Sequence, residues 1–310
     1  NAMVGNGWSG TQLTTIVSID AGAADGGSDG ASVVSDTVTV EGHGDVYLTD
    51  SNVYFFDYDG SLRFDGQYGG TVIERFSLTE GQIGESVRGV VPGPALNSLS
   101  LDESDGYLRI ATTTGSWSDS EAGVFVLQEQ DGELVIVGSV TGIGAVLEIY
   151  AARFIGDSVY LITFRQQFID PLHVVDLSDP TNPVERGELE IPGFSNYLEQ
   201  YDENHLIGIG EDDRGRLQVS LFDISDPDHP QRVGLYTFES DWRGAGGRFG
   251  FDSHAVTLLR EQGRLIIPIQ EETWSETDDW HSGWDVQDSF AVLSIDPEQG
   301  ISLEGRIEHD

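Results

Sequence analysis

The chain has 310 residues, with 15 basic against 54 acidic side chains and a formal net charge of −39. It has no lysine, no cysteine and no basic stripe, which argues against nucleic acid or anionic lipid as partners and excludes disulfides and cysteine-type zinc sites. No run of about 18 apolar residues is present to span a bilayer.

Such a charge opposes folding through self-repulsion unless counter-ions screen it. The chain is nonetheless 38% hydrophobic and 10% aromatic with regular apolar alternation, so it reads as folded rather than disordered. At about 1 M salt the Debye length shrinks to roughly 3 Å, which removes most of the repulsion. The composition therefore suits a protein of strong brine, with an acidic mesophilic protein as the other reading. Asn1-Ala2-Met3 reads as the remnant of an expression tag, leaving residues 4–310 as a single domain.

In chain order, the first pattern is an outer-type strand pair, Thr14–Asp36, turning after Asp20 through a glycine-rich stretch. A second pair follows in "VTVEGHGDVYLTDSNVYFFDY", turning near Thr49–Asn52, and a third in "VIERFSLTEGQIGESVRGVV" with Glu80-Gly81 at its turn. "LNSLSLDESDGYLRIATTT" turns at Asp105-Gly106, a strong hairpin signal. "GVFVLQEQDGELVIVGSV" turns at Asp131-Gly132 and "IYAARFIGDSVYLITF" at Gly156-Asp157. "VVDLSDPTNPVERGELEIPGF" turns at Asp179-Pro180, "YLEQYDENHLIGIG" at Asp202–Asn204, and "SLFDISDPDHPQRVGLYTF" at Asp226-Pro227. "HAVTLLREQGRLIIPI" turns at Glu261–Gly263 and "FAVLSIDPEQGISLEGRIEH" at Asp296-Pro297.

Asp179 and Asp226 stand 47 positions apart in near-identical contexts. The unit is thus four strands in about 45 residues, repeated, with no sustained helical periodicity. Four-stranded units at that period predict an all-β propeller, in which each sheet buries its two faces against its neighbours. The units run Val38–Val91, Leu96–Thr141, Ile149–Pro192, Phe194–Glu239 and His254–His309. With the half unit Thr14–Asp36 this makes five complete blades and about six in all, the missing inner strands being expected in a longer protein. Proline presets φ in the recurrent turn, and the aspartate side chain caps it.

"LDESDGYLRIATTTG", "YAARFIGDSVYLITFRQQFIDPLHVVDLSDPTNP", "IPGFSNYLEQYDENHLIGIG" and "LFDISDPDHP" resemble a family of secreted bacterial and archaeal β-propeller domains distantly related to WD-40 repeats. The resemblance spans Val38 to His309 and is strongest from Leu99 to Pro230. It implies a secreted or cell-surface propeller and carries over no catalytic residue, because the family has no established activity. The acidity, the missing lysine and the stretch Glu271–Asp288 depart from the general pattern and suggest a haloarchaeal member.

Three groups of residues are candidates for function. "EETWSETDDWHSGWDVQDS" (Glu271–Ser289) interrupts the last unit between its second and third strands and carries Trp274, Trp280 and Trp284 among seven acidic residues. Long loops on rigid scaffolds hold function, and exposed tryptophans stack on sugars or anchor protein partners. Equally, these rings could fold back over a neighbouring blade. The segments entering the inner strands are expected to bring Asn97, Glu148, Arg153, Asn196, Tyr197, Asp252 and His254 toward one end, as a polar ligand site or as an ordinary polar channel lining. Asp57 and Asp59 in "DYDGSLRFDG" are weak candidates for calcium, since their spacing fails the EF-hand template; beyond calcium or another cation, no cofactor is expected. The histidines lie singly, without metal-ligand spacing.

Two functions follow as expectations. One is an extracellular or cell-surface binding or scaffold module for a protein, peptide or glycan in high salt. The alternative is a hydrolase or lyase with a carboxylate/His site, with or without a divalent metal, at the channel mouth. A purely structural spacer is a third reading. The charge yields one measurement: the melting temperature should rise between about 0.1 M and about 3 M KCl, and an unchanged value would contradict salt adaptation.

Overall fold

The computed structural model describes residues 13–20, 33–42, 44–64, 67–80, 82–115, 120–144, 148–164, 169–238, 243–244, 255–275 and 283–308. Among these there are strands and short 3-10 turns but no α-helix. The chain divides into two compact units, Asn1–Ser116 with Val124–Ser139, and Trp117–Gly123 with Val140–Asp310.

In the first unit, β1 (Leu13–Asp20) and β2 (Val33–Glu41) form an antiparallel pair. Next come β3 (Asp45–Leu48), β4 (Asn52–Phe64), β5 (Gln67–Thr79) and β6 (Gln82–Pro92), an antiparallel set of four. β7 (Leu101–Ser104), β8 (Tyr107–Thr114), β9 (Glu121–Gln130) and β10 (Glu133–Ile143) form another, the last two strands running partly into the second unit. A short parallel pairing, Arg88 with Glu133 and Gly89 with Leu134, joins β6 to β10 and merges the two sets into one eight-stranded sheet. Tyr54, Phe56, Ile73 and Val91 of the first set pack with Leu101, Leu108, Ile110, Phe125 and Leu127 of the second. Val40 of β2 packs with Val53, Phe55 and Phe76.

The second unit holds three sheets. The first is β11 (Glu148–Ile155), β12 (Ser158–Phe164), β13 (Ile169–Asp176) and β14 (Val184–Pro192). The second is β15 (Phe194–Gln200), β16 (His205–Glu211), β17 (Leu217–Asp223) and β18 (Gln231–Thr237). The last contains β19 (Arg243–Gly244), β20 (Thr257–Leu259), β21 (Arg264–Ser275), β22 (Gly283–Asp296) and β23 (Gly300–Glu308). Ile162, Leu172, Val174 and Ile191 of the first sheet share a core with Leu198, Leu206, Phe222 and Ile224 of the second. Each such side chain contributes about 1.5–3 kcal/mol by leaving water.

The turns fall where the residue types demand. Asp105 and Asp131 have φ of 52°, and the glycines after them 79° and 84°, the two successive positive angles of a type I′ hairpin turn. In the Asp-Pro turns the carboxylate caps the backbone. Asp179 Oδ1 accepts from Thr181 N at 2.9 Å and its hydroxyl at 2.7 Å. Three residues before the second Asp-Pro, Asp223 Oδ1 accepts from Ser225 N at 2.9 Å and its hydroxyl at 2.6 Å. The hydroxyl bond, then the amide bond, holds each of these carboxyls below its ordinary value. The apolar residue inside the motif then closes the sheet end. Leu177 N donates to Asp157 O at 2.7 Å, and Ile224 N to Asn204 O at 2.8 Å. Ile295 N donates to Gly263 O and Leu78 N to Ser51 O, both at 2.7 Å. The repeated "D-x-S-D-P" phrase thus ties the turn between the third and fourth strands to the turn between the first and second in the two sheets that carry it, and Ile295 and Leu78 make the same tie without it.

A second repeated device lies on the outermost strands. Val174 pairs with Gly187 and Val175 with Glu185, leaving Arg186 as the extra residue of a β-bulge. Val233 before Gly234 and Glu304 before Gly305 are extra in the same way. The bulge turns Arg186 outward. Its Nε and Nη2 donate to Asp228 of the next sheet, each at 2.8 Å, and Nη1 to Asp176 at 2.9 Å. Gly187 is where the next sheet comes close: a Cβ there would lie 2.4 Å from Pro227 O.

Two readings of the sequence need correction. Val38 opens no four-stranded unit; it pairs with Ile16 on β1, and the first such set begins at Asp45. Apolar alternation runs on either side of Gly42–Gly44 and does not say which neighbour a strand joins. The stretch Glu271–Ser289 is not simply an inserted loop. β21 and β22 continue as paired strands out to Ser275 and Gly283, beyond the reach of β20 and β23, which end their pairing at Ile266 and Ser289.

The glycine contacts give a paired measurement. Gly187→Ala should destabilise by about 1–3 kcal/mol, the usual cost of overpacking. Gly305→Ala, where an added Cβ meets nothing within 4 Å, should be neutral or stabilise by up to about 1 kcal/mol. Denaturant unfolding in molar salt would show both, and equal effects would remove the close-approach explanation.

Candidate functional site

The short strand β15 enters its sheet through a bulge at Asn196, since Ser195 pairs with Gly210 and Tyr197 with Ile209. From there Tyr197 and Glu199, two apart, share one face. The Tyr197 hydroxyl donates to Glu199 Oε2 at 2.8 Å, and Arg153 Nη2 of β11 donates to the same oxygen at 3.1 Å. Arg260, in the turn between β20 and β21, donates from Nη2 to Glu199 Oε1 at 2.7 Å and to Gln200 O at 2.7 Å. One carboxylate with a side chain only 13% exposed therefore ties three sheets of the second unit together. Burial, then the Glu199 charge, pushes the Tyr197 phenol above its ordinary value, so it remains a donor at neutral pH.

Beside this hub, Gln200, Tyr201, Asp202, Glu203, Arg260 and Glu261 line a cavity of about 600 Å³. Tyr201 anchors one wall by donating to Ile295 O at 3.1 Å. Asp202 is engaged by His205 Nδ1 at 2.8 Å and by Asn204 N at 2.8 Å. Glu203 and Glu261 are exposed.

Of the residues singled out from sequence, Arg153 and Tyr197 are brought together through Glu199. Glu148 is exposed at the far end of β11, opposite Phe164, whereas Arg153 lies opposite Tyr160 near the turn. Five residues of strand, about 16 Å, separate the two. Asn97 caps the 3-10 turn Ser98–Ser100 by accepting from Leu99 N at 2.9 Å. Trp274 and Trp284 are Cα partners on β21 and β22. Trp280, Asp252 and His254 lie outside the described residues.

Asp57 and Asp59 sit on β4, opposite Val72 and Gly70. Asp59 Oδ1 accepts from Ser61 N at 2.8 Å and its hydroxyl at 2.6 Å, and these bonds, the hydroxyl first, hold its carboxyl below the ordinary value. Asp57 borders a cavity of about 190 Å³ with Asp45 and Tyr58. Among the described residues no three metal-ligating side chains converge.

Sequence reasoning missed Glu199 and Arg260, as well as a hydroxyl–imidazole–carboxylate chain. Thr163 Oγ1 lies 3.0 Å from His173 Nε2, and His173 Nδ1 lies 2.8 Å from Glu185 Oε1. The order matches that of a nucleophile, a base and its orienting acid. Thr163 and His173 are 0% and 1% exposed, so no substrate reaches the hydroxyl, and the chain serves to satisfy buried polar atoms.

Residues 2–310 match the model of a family described as a beta propeller domain. An uncharacterized protein of Methanocaldococcus jannaschii is 44% identical over 154 residues, which is 50% of this chain and 24% of that protein. An uncharacterized protein of Archaeoglobus fulgidus is 41% identical over 198 residues, 64% of this chain and 29% of that protein. The chain thus spans about a quarter of the length of the curated relatives it matches.

The hub is open to a double-mutant cycle. Glu199→Gln and Arg260→Gln should couple by roughly 0.5–1 kcal/mol, reduced from a buried pair because Arg260 is half exposed. Additive effects in chemical unfolding would show that the pair contributes no net stability.

Proposed function

The chain belongs to the beta propeller domain family, and from that premise we propose that it is an extracellular or cell-surface binding module for a protein, peptide or glycan partner in high salt. In this reading the sheets are blades of a single propeller spanning residues 4–310, with five complete blades and the β1–β2 pair as part of a sixth. The protein is then a secreted, haloarchaeal member of the family.

The observation that carries the reading is the β21–β22 ribbon. Its strands stay paired past β20 and β23, with Trp274 directly across from Trp284. A paired two-stranded ribbon with aromatic residues at matched positions is the kind of backbone platform on which binding residues are presented at small conformational cost. Glu271, Glu272, Asp285 and Asp288 belong to the same two strands.

A screen of glycans, peptides and envelope proteins in molar salt tests this. A ligand should emerge whose affinity falls roughly tenfold or more on Trp274→Ala or Trp284→Ala, as for an aromatic anchor. A ligand indifferent to both substitutions would exclude the arm, and no ligand in any class would count against a binding role. The hydrolase or lyase alternative, expected from sequence as a carboxylate/His site at the channel mouth, would find its carboxylates instead in the cavity beside Glu199. There, turnover abolished by Glu203→Gln or Glu261→Gln, with the tryptophan variants unaffected, would favour catalysis.

A further inference from the structure

Among the described residues, seven buried side-chain nitrogens and oxygens have no hydrogen-bond partner, and five of them belong to the one sheet β15–β18. They are Ser195 Oγ, Asn196 Oδ1, Gln218 Nε2, Ser220 Oγ and Arg232 Nη1. Ser195 and Ser220 are 0% exposed and Gln218 is 2% exposed. Leaving such groups dry and unpaired costs about 1–3 kcal/mol each, so their concentration in one sheet calls for a reason.

The register puts four of them on one face. Ser195 pairs with Gly210, which pairs with Gln218, and Ser220 pairs with Gly208. Partners across a sheet share a face, as do alternate residues along a strand. Gln218, Ser220 and Phe222 therefore look the same way, and so does Arg232, which pairs with Phe222. Phe222 lies in the core shared with β11–β14, so this face meets a neighbouring sheet. The glycines between the polar groups are required there: a Cβ on Gly208 would lie 2.6 Å from Ser195 Oγ, and one on Gly193 2.4 Å from Gln218 Nε2.

The chemistry of the set is one-sided. Arg232 and Gln218 present N–H groups, and the two serines present hydroxyls that can donate. Asn196 Oδ1 is the acceptor among the five, and it sits at the bulge of β15. Among the described residues, Arg232 has no hydrogen-bond or ion-pair partner, in a chain with 54 acidic residues. Its charge is partly desolvated without a counter-charge, and burial alone pushes its pKa down. Along β17, Ser220 stands two residues from Phe222, the partner of Arg232, on the same face; a partly buried, unpaired cation sharing a face with a buried hydroxyl is an arrangement that recognises an anion.

We propose that the face of β17–β18 carrying Ser220 and Arg232 is a binding site for a monatomic anion, chloride in brine. A larger oxyanion would need more room than a face packed against β11–β14 provides. The net charge of −39 repels any anion at low salt, but molar salt screens that field beyond about 3 Å. Occupancy, and the stability that comes with it, therefore appears under the conditions in which the chain folds best.

Crystals of the protein grown in molar bromide test the site directly. An anomalous peak within contact of Arg232 and Ser220 is expected, with its occupancy lost in Arg232→Gln and reduced in Ser220→Ala. No peak on this face, a water in its place, or adventitious bromide elsewhere only would overturn the proposal. In solution, exchanging sulfate for chloride at matched ionic strength should shift the melting temperature of the wild type upward relative to Ser220→Ala. Equal responses in the two proteins would also overturn it. The outcome is independent of the tryptophan arm, so failure of either proposal leaves the other intact.

Discussion

A four-stranded sheet that is apolar on both faces has no stable place in water except between other sheets. That constraint organises both units. Ile162, Leu172 and Val174 meet Leu198, Leu206 and Phe222 across one interface, and Tyr54, Ile73 and Val91 meet Ile110, Phe125 and Leu127 across another. Burial is non-directional, so it does not set how far apart two sheets lie. The outer-strand glycines do this where they come into contact: Gly187 receives the Pro227 carbonyl, and Gly234 lies against Ile301 of the last sheet. The bulge before each glycine is the complementary half of the device. It moves one residue out of the ladder and leaves it free to reach the neighbour, as Arg186 does to Asp228.

The electrostatics follow the same plan. With 15 arginines among 54 acidic residues, positive charge is scarce, and several arginines are spent between sheets rather than scattered on the surface. Arg75 pairs with Glu129, Arg186 with Asp228, and both Arg153 and Arg260 with Glu199. Guanidinium suits this use because its planar fork makes paired bonds that a lysine ammonium does not. Acidic side chains, by contrast, occupy turns and outer strands, where Glu133, Glu185, Glu188 and Glu190 are exposed. Their mutual repulsion is long-range and salt-sensitive, while the arginine contacts are short-range and partly buried, so salt weakens the first more than the second. Arg232, with no acidic partner, stands outside this plan and is for that reason informative.

The cavity beside Glu199 and the β21–β22 arm differ in kind. The cavity is lined by residues from two tight turns, which are fixed by the backbone bond from Ile295 N to Gly263 O and by the Tyr201 hydroxyl donating to Ile295 O. The arm owes its direction to strand pairing alone. A binding surface that must stay shaped while its charge environment changes is better built on such backbone ladders than on ion pairs.

Local chemistry determined most of the strand pattern from sequence alone. Asp105-Gly106 and Asp131-Gly132 can hardly be anything but tight reversals, because φ is positive at both positions. Asp179-Pro180 and Asp226-Pro227 announce themselves through a preset φ and a side chain able to cap its own turn. Those signals act over a few residues and are legible in one dimension. Which strands pair across the glycines at 42 and 44, that β6 meets β10 in parallel, and that Glu271–Ser275 and Gly283–Ser289 are paired strand were decided by tertiary structure. The same holds for the hub: Glu199 and Arg260 are 61 positions apart, and neither has a local pattern to mark it. The glycines at 89, 187 and 234 recur on the fourth strand of their sets, and at each an added Cβ would meet a neighbour within about 3 Å. What each one makes room for depends on the neighbouring sheet, because burial and charge pairing act through space and leave no periodicity in the chain.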